Sequence, residues 1–281
     1  MLLIRYMPLD YGLKSIMSGE FKVARPCDVN DPYEMMGACV GQPRDDVWTA
    51  IRNNMRYEWA KRGADPLNTR QEIPIEQVEF GVDHIVDCLQ RVFMERTVQQ
   101  LMNRILCFID ASKINPISDQ LMWGHYANNG KGMRVWFESD VLRDAGMPQI
   151  FQVDYKSERP TLDLSKLNSF DDYEVWYSFV RKLWLTKSTA WEYEHEWRML
   201  ILGNPASELL VEREGLEFVK LPISSIVRVD FGPKGYIEES TEIVRELRHN
   251  ASTKHIDFRI AQYSKDAYNY DYLEYDRVGL K

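Results

Sequence analysis

The chain of 281 residues carries 43 Asp and Glu against 35 Lys and Arg, a formal charge of −8, and 44% of it is hydrophobic. That length and apolar share allow a sizeable globular core, and the acidic balance excludes a protein whose whole surface grips nucleic acid, while leaving room for a local basic cleft. Four cysteines, Cys27, Cys39, Cys88 and Cys107, lack paired zinc-ligand spacing and read as reduced core thiols; no segment resembles a signal peptide or a bilayer-spanning stretch, so the expected location is cytoplasmic.

MLLIRYM is rich in branched and aromatic residues and stops at Pro8, which predicts a first strand. Leu9, Leu13, Ile16 and Met17 recur at helical spacing before Gly19, so a short helix follows. FKVARPCDVNDPYEMMG then leads a second short strand into a turn built on Asn30, Asp31 and Pro32. From about 45 to 103 the pattern is helical, in two or three pieces joined through GADPLNTRQ.

RILCFID predicts a strand, ISDQLMWGHYANNGKG a helix from Ser118 ending near Asn128 to Gly130, and MRVWFES the next strand. FQVDYKS is a further strand and DDYEVWYSFVRKLWLTKST an amphipathic helix. After the octet WEYEHEWR come strands at LEFVKLP and SSIVRVDFG, a helix at YIEESTEIVRELRHN and a strand at KHIDFRIAQYS. The tyrosine-rich tail DAYNYDYLEYDRVGLK reads either as loosely ordered or as a cover for another surface. Helices and strands mix without βαβ alternation, which predicts a single α+β domain over 1–281 with a helical insertion at about 45–103. Neither a GxGxxG fingerprint nor a Walker A loop is present in the sequence.

Three stretches carry candidate chemistry. In WEYEHEWR, four rings at period two favour a strand with Trp191, Tyr193, His195 and Trp197 inward, and Glu194, Glu196 and Arg198 on the other face. Carboxylates two residues apart are roughly 6.5 to 7 Å apart at the backbone, so the pair reads equally as an exposed acidic stripe or as a functional pair. In LMWGHYANNGKGMRVWF, His125 and Tyr126 end a helix before glycines that permit a tight reversal; His125 reads as a cleft residue or as a cation on the helix C-terminus. In VNDPYE, Asn30 and Asp31 make a turn before Pro32 and Glu34 follows as a lone carboxylate; Arg5, a charge inside a strand, calls for a partner, with Asp31, Glu34 and the later glutamates as candidates. No metal-ligand pattern such as HExxH or DxD accompanies these residues, and no metal is expected.

Taken together and in this order, VNDPYE, ILCFID leading to LMWGHYANNGKGMRVWF, VDYKSERP, KSTAWEYEHEWRMLI and IVRVDFGPK resemble the bacterial family catalogued as Domain of Unknown Function 2971. A second resemblance is to toxin-type ADP-ribosyltransferases: Arg5 of LLIRYM looks like their first-strand arginine, Tyr126 like their aromatic platform and Glu194-His195-Glu196 like their late ExE arrangement. The chain departs from that pattern in having no S-T-S segment and in the helical stretch from 45 to 103.

That second resemblance implies a small split mixed sheet, NAD as the consumed substrate, and a toxin or phage-defence setting. It implies Glu196 at the developing oxocarbenium ion, Glu194 as general base, and cofactor contacts from Arg5, Tyr6, Asn30, Asp31, His125, Tyr126 and Arg198. The acceptor would be an unidentified protein or nucleic acid, with an inhibitor or antitoxin as a further partner and no membrane. Two other readings stand beside it: a metal-dependent nuclease using Asp31, Glu34, Glu194 and Glu196, and a non-catalytic binding or antitoxin-like module built on the aromatic residues.

Overall fold

The computed structural model describes residues 1–25, 28–31, 33–41, 44–47, 49–50, 53, 104–168, 173–201, 209–235 and 238–275. The helical insertion expected at about 45–103 lies for the most part outside these residues. In chain order the strands are β1 (Leu2–Met7), β2 (Glu20–Lys22), β3 (Ala38–Val40), β4 (Arg104–Asp110), β5 (Met133–Glu138), β6 (Ile150–Gln152), β7 (Asp154–Lys156) and β8 (Thr161–Asp163). They continue with β9 (Thr186–Ser188), β10 (Glu196–Ile201), β11 (Leu210–Arg213), β12 (Leu216–Lys220), β13 (Ile226–Phe231), β14 (Asp257–Tyr263) and β15 (Tyr270–Glu274). Helices α1 (Leu9–Ser18), α2 (Pro116–Tyr126), α3 (Ser139–Asp144), α4 (Tyr173–Leu185) and α5 (Glu238–His249) intervene. The chain is α+β, and no described helix is long and apolar enough to cross a membrane.

Contacts divide the chain into two compact units, the first comprising Met1–Asp28, Met102–Val153 and Ala190–Lys281. Its main sheet has the order β15-β14-β13-β5-β1-β4-β10-β6, antiparallel throughout except for the parallel β13/β14 pair. A three-stranded sheet, β11-β12-β2, completes it. Successive residues of β1 point to opposite faces, and both faces are buried: Leu3 and Met7 join one core, Ile4 and Tyr6 another. The first core is sealed by Leu13 and Ile16 of α1 and by Val244 and Leu247 of α5. The second is sealed by Met122 and Trp123 of α2. Burial on both sides is why these strands read as nearly continuous apolar runs.

The second unit, Val29–Leu101 and Asp154–Thr189, contains two short parallel pairs, β3/β8 and β7/β9, together with α4. Gly37 lets its chain run close to α4, since a Cβ there would stand 2.6 Å from the Phe179 ring and 2.7 Å from Leu183.

Several elements differ from the sequence reading. Helix α2 begins at Pro116, two residues early, because Asn115 caps it: its side chain accepts from Ile117 N and Ser118 N while Ser118 Oγ accepts from Asn115 N. FQVDYKS is not one strand but two, β6 and β7, interrupted at Val153, and the TKS that follows α4 is strand β9. The tail holds an ordered strand, β15, paired with β14 from Arg259↔Glu274 to Tyr263↔Tyr270.

Candidate functional site

The octet is half turn and half strand. Thr189–Glu194 forms a 3₁₀ helix, His195 takes a left-handed conformation with φ 45°, and only from Glu196 does β10 run. The His195 carbonyl accepts from Asp110 N at 3.1 Å, which ties the corner to the end of β4. The period of the rings concealed this corner, because His195 carries no Gly-like mark of a left-handed residue. Its consequence is that Glu194 and Glu196 do not line an exposed stripe. They are 3% and 4% exposed.

Each buried carboxylate has a dedicated donor. The Tyr126 hydroxyl donates to Glu194 Oε1 at 2.6 Å. Arg198, fully buried, donates to Glu196 through Nε at 2.8 Å and Nη2 at 2.9 Å, so one guanidinium fork holds both carboxylate oxygens. The Tyr126 ring belongs to a cluster of four: His125 lies 6.3 Å from Tyr126 and 6.5 Å from both Trp191 and Tyr193, and Trp191 lies 6.2 Å from Tyr193. His125 is exposed and the other three rings are half-buried, so the cluster opens to solvent on the His125 side.

Helix α2, which delivers His125 and Tyr126, is fixed to the sheet by a buried charge network. Arg134 on β5 donates to Asp119 of α2 at 2.9 Å and to Asp230 of β13 at 2.6 Å. Arg228 supplies a second cation to Asp230 at 2.6 Å, so two arginines balance two aspartates. Tyr6 and Tyr272 both donate to Asp119, Trp136 donates to Asp230, and Trp123 donates to Tyr272. The Arg134 guanidinium also lies 4.0 Å from the Tyr272 ring centroid, a cation–π contact. Burial opposes the Arg134 charge, yet Tyr6, Asp230, Tyr272 and Asp119 hold its pKa above the ordinary arginine value. Burial raises Tyr6 and Tyr272 above the usual phenol range, with Arg134 opposing and Asp119 reinforcing.

The structure joins Tyr126 to Glu194 by a hydrogen bond and to His125 by a ring contact, and pairs Glu196 with Arg198. Arg5 lies within reach of the Glu196 charge but hydrogen-bonds elsewhere. Strand alternation puts Arg5 on the face of Leu3 and Met7, whereas Glu196 and Arg198 alternate with Trp197 and Met199, which pack into that same core from β10. The carbonyls of Cys107 and Lys22, rather than a carboxylate, accept from Arg5, at 2.7 and 3.1 Å. Burial lowers the Arg5 pKa, with the charges of Cys107 and Glu196 partly offsetting it. Tyr6 is spent inside the Arg134 network.

Asn30 and Asp31 belong to the second unit. There Asn30 is exposed, Asp31 is 4% exposed, and Asp31 Oδ1 accepts from Tyr33 N at 2.9 Å. Its Oδ2 is buried without a hydrogen-bond partner. In the same unit Glu34 pairs with the buried Lys187 at 3.7 Å. Among the described residues no group of three or more His, Cys, Asp or Glu is placed to hold a metal ion.

Sequence reasoning missed Asp119, Arg134, Asp230 and Tyr272. A signal existed: MRVWF and VRVDF each carry charges inside an apolar run, which a doubly buried strand tolerates only when they are paired.

A family model described as "Protein of unknown function (DUF2971)" matches residues 122–199. No curated protein and no solved structure matches the chain. The matched stretch encloses His125, Tyr126, Arg134, Glu194, Glu196 and Arg198, and leaves Arg5, Asp119 and Asp230 outside.

Proposed function

We propose that the protein consumes NAD, breaking the bond between nicotinamide and ribose and passing the ADP-ribosyl group to a macromolecular acceptor or to water. The observation that carries this reading is the buried Glu194, held by the hydroxyl of Tyr126, whose ring packs in a cluster that ends at the exposed His125. Cleavage sends the bonding electron pair to the nicotinamide nitrogen and leaves an oxocarbenium-like ribosyl carbon, which a fixed carboxylate stabilises. Glu194 faces that carbon and takes up the proton the acceptor loses as its bond to the ribose forms.

Both oxygens of Glu196 are occupied by Arg198, so the Glu196–Arg198 pair positions the corner rather than meeting the cation, which shifts the division of labour expected from the sequence. Trp191, Tyr193 and His125 offer faces on which nicotinamide or adenine can stack. Calorimetric titration of NAD into the Glu194→Gln variant tests the site without turnover. Saturable binding that Trp191→Ala weakens is the expected result; heat no greater than dilution, up to millimolar NAD, contradicts the reading.

A further inference from the structure

Helix α2 turns its only carboxylate inward and an apolar stripe outward. Ser118, Asp119, Met122 and Trp123 are buried against the sheet. Ile117, Leu121 and Gly124, at i, i+4 and i+7, share the opposite face, flanked by Gln120 and the exposed His125. Ile117 is 71% exposed and Leu121 36% exposed.

Gly124 has no explanation within the chain. A glycine inside a helix costs stability relative to alanine. At Gly12 of α1 the reason is packing, because a Cβ there would overlap Met133. At Gly124 a Cβ would meet nothing within 4 Å, and the helical conformation is one that any residue adopts. What the glycine does leave is a hollow in an exposed ridge, where another surface can approach the backbone closely. Beside it the Gln120 side chain donates to the Tyr268 carbonyl and holds the tip of the β14–β15 hairpin against the helix, with Tyr268 93% and Tyr263 59% exposed. Ile117, Leu121 and these two rings expose on the order of 500 Å², a size at which apolar patches are often binding surfaces.

We propose that this face binds a second copy of the chain, α2 against α2, antiparallel about a two-fold axis. An axis midway between Gln120 and Leu121 places Ile117 opposite the partner's Gly124 and, by symmetry, Gly124 opposite the partner's Ile117. The more exposed of the two aliphatic side chains thereby fills the hollow, twice in one contact. Charge selects the same occupant. The chain carries −8, so two copies repel over most of their surfaces and meet with least repulsion on an uncharged ridge. A strongly charged partner would find no opposite charge on Ile117, Leu121 or Gly124. The outward face of a helix is convex, which suits a macromolecular surface rather than a small molecule. Two copies would bury on the order of 1,000 Å², the lower bound of a specific interface, so the dimer should be weak, with a dissociation constant in the micromolar range. None of this depends on the NAD reading.

Sedimentation equilibrium of the full chain from about 1 to about 300 μM covers that range of affinity. Monomer should give way to dimer as concentration rises. Ile117→Ser leaves the charge unchanged and should weaken association about fivefold or more. Gly124→Leu should weaken it at least as much by filling the hollow, yet melt at or above the wild-type temperature, because leucine is the better helix former. A glycine needed for folding would give the reverse. A chain that stays monomeric at the highest concentration, or a dimer that both substitutions leave intact, overturns the proposal. Vesicles of neutral phosphatidylcholine form a second arm: a monomer that binds them, and loses that binding in Ile117→Ser, assigns the ridge to a lipid surface and overturns the second-copy reading. A dimer that releases no nicotinamide upholds this inference and removes the NAD reading; a monomer that releases it does the opposite.

Discussion

Tyr126 and Glu194, 68 residues apart in sequence, meet in a hydrogen bond of 2.6 Å. The contact joins the last residue of α2 to the last residue of the 3₁₀ helix, so two elements that end at one place share a buried charge. A hydrogen bond to a charged group contributes about 1.5–3 kcal/mol. Tyr126→Phe should therefore lower the urea midpoint and slow nicotinamide release roughly tenfold, since about 1.4 kcal/mol corresponds to one decade. Single-turnover kinetics alongside urea melts would measure both.

The Glu196–Arg198 pair is buried and bidentate. Removing one partner strands the other charge, so Arg198→Ala should cost about 3–5 kcal/mol in chemical denaturation. Arg198→Met combined with Glu196→Gln should cost less than the sum of the two single changes, as a double-mutant cycle would show.

Asp119 carries three donors, Arg134, Tyr6 and Tyr272, and is the link from α2 to the sheet. Asp119→Ala should destabilise by about 3–5 kcal/mol, because Arg134 keeps its burial and loses an anion. A second signature is alkaline. With folded-state pKa values raised above the usual phenol range, Tyr6 and Tyr272 contribute stability that is complete below about pH 10 and is lost as pH rises towards their folded values. Melting temperature followed upward from pH 9 should fall less steeply in Tyr272→Phe than in wild type.

Glu217 on β12 behaves in the opposite sense. Hydrogen bonds from Arg104, supported by Arg25 and opposed by burial, hold its carboxyl below the usual carboxylate range. Its stabilising contribution is present above the unfolded-state value of about 4.3 and is lost as pH falls through the lower folded value. Glu217→Gln should melt below wild type at pH 7, and the two curves should converge in acid.

His195 holds the corner between the two glutamates at φ 45°. A β-branched side chain strains that conformation, so His195→Val should cost about 1–2 kcal/mol, while His195→Gly keeps the corner. Thermal melts of the two variants separate a backbone requirement from a role for the imidazole.

Much of the sheet was legible from local pattern. β1, β4, β5, β13 and β14 are branched or aromatic runs bounded by turn residues, and α1 and α5 show their buried stripes directly. Tyr126 and Glu194 also stood out in the sequence, because carboxylates between tryptophans and a ring pair at a helix end are uncommon company, and the two are hydrogen-bonded. What stayed hidden depends on tertiary pairing. Arg5 demanded a partner, and the sequence could not show that backbone carbonyls of two other strands supply it. The Asp119–Arg134–Asp230 bridge draws on three distant segments, and its charges balance only when the segments meet. The corner at His195 turned a regular alternation into two elements, and of the two readings left open for the carboxylates, exposed stripe or functional pair, it removes the exposed stripe. β15 was obscured by a tail whose acidic residues look solvated until β14 is beside it.

We propose that Glu194 acts on the nicotinamide–ribose bond. Chromatographic measurement of nicotinamide released from NAD by wild type and by Glu194→Gln, with both proteins shown to melt alike, tests it most directly. Steady release by wild type and a loss of at least about a hundredfold in the variant are the expected result. Equal rates in the two proteins, or no release by wild type with NAD and nucleic-acid or protein acceptors present, would contradict it.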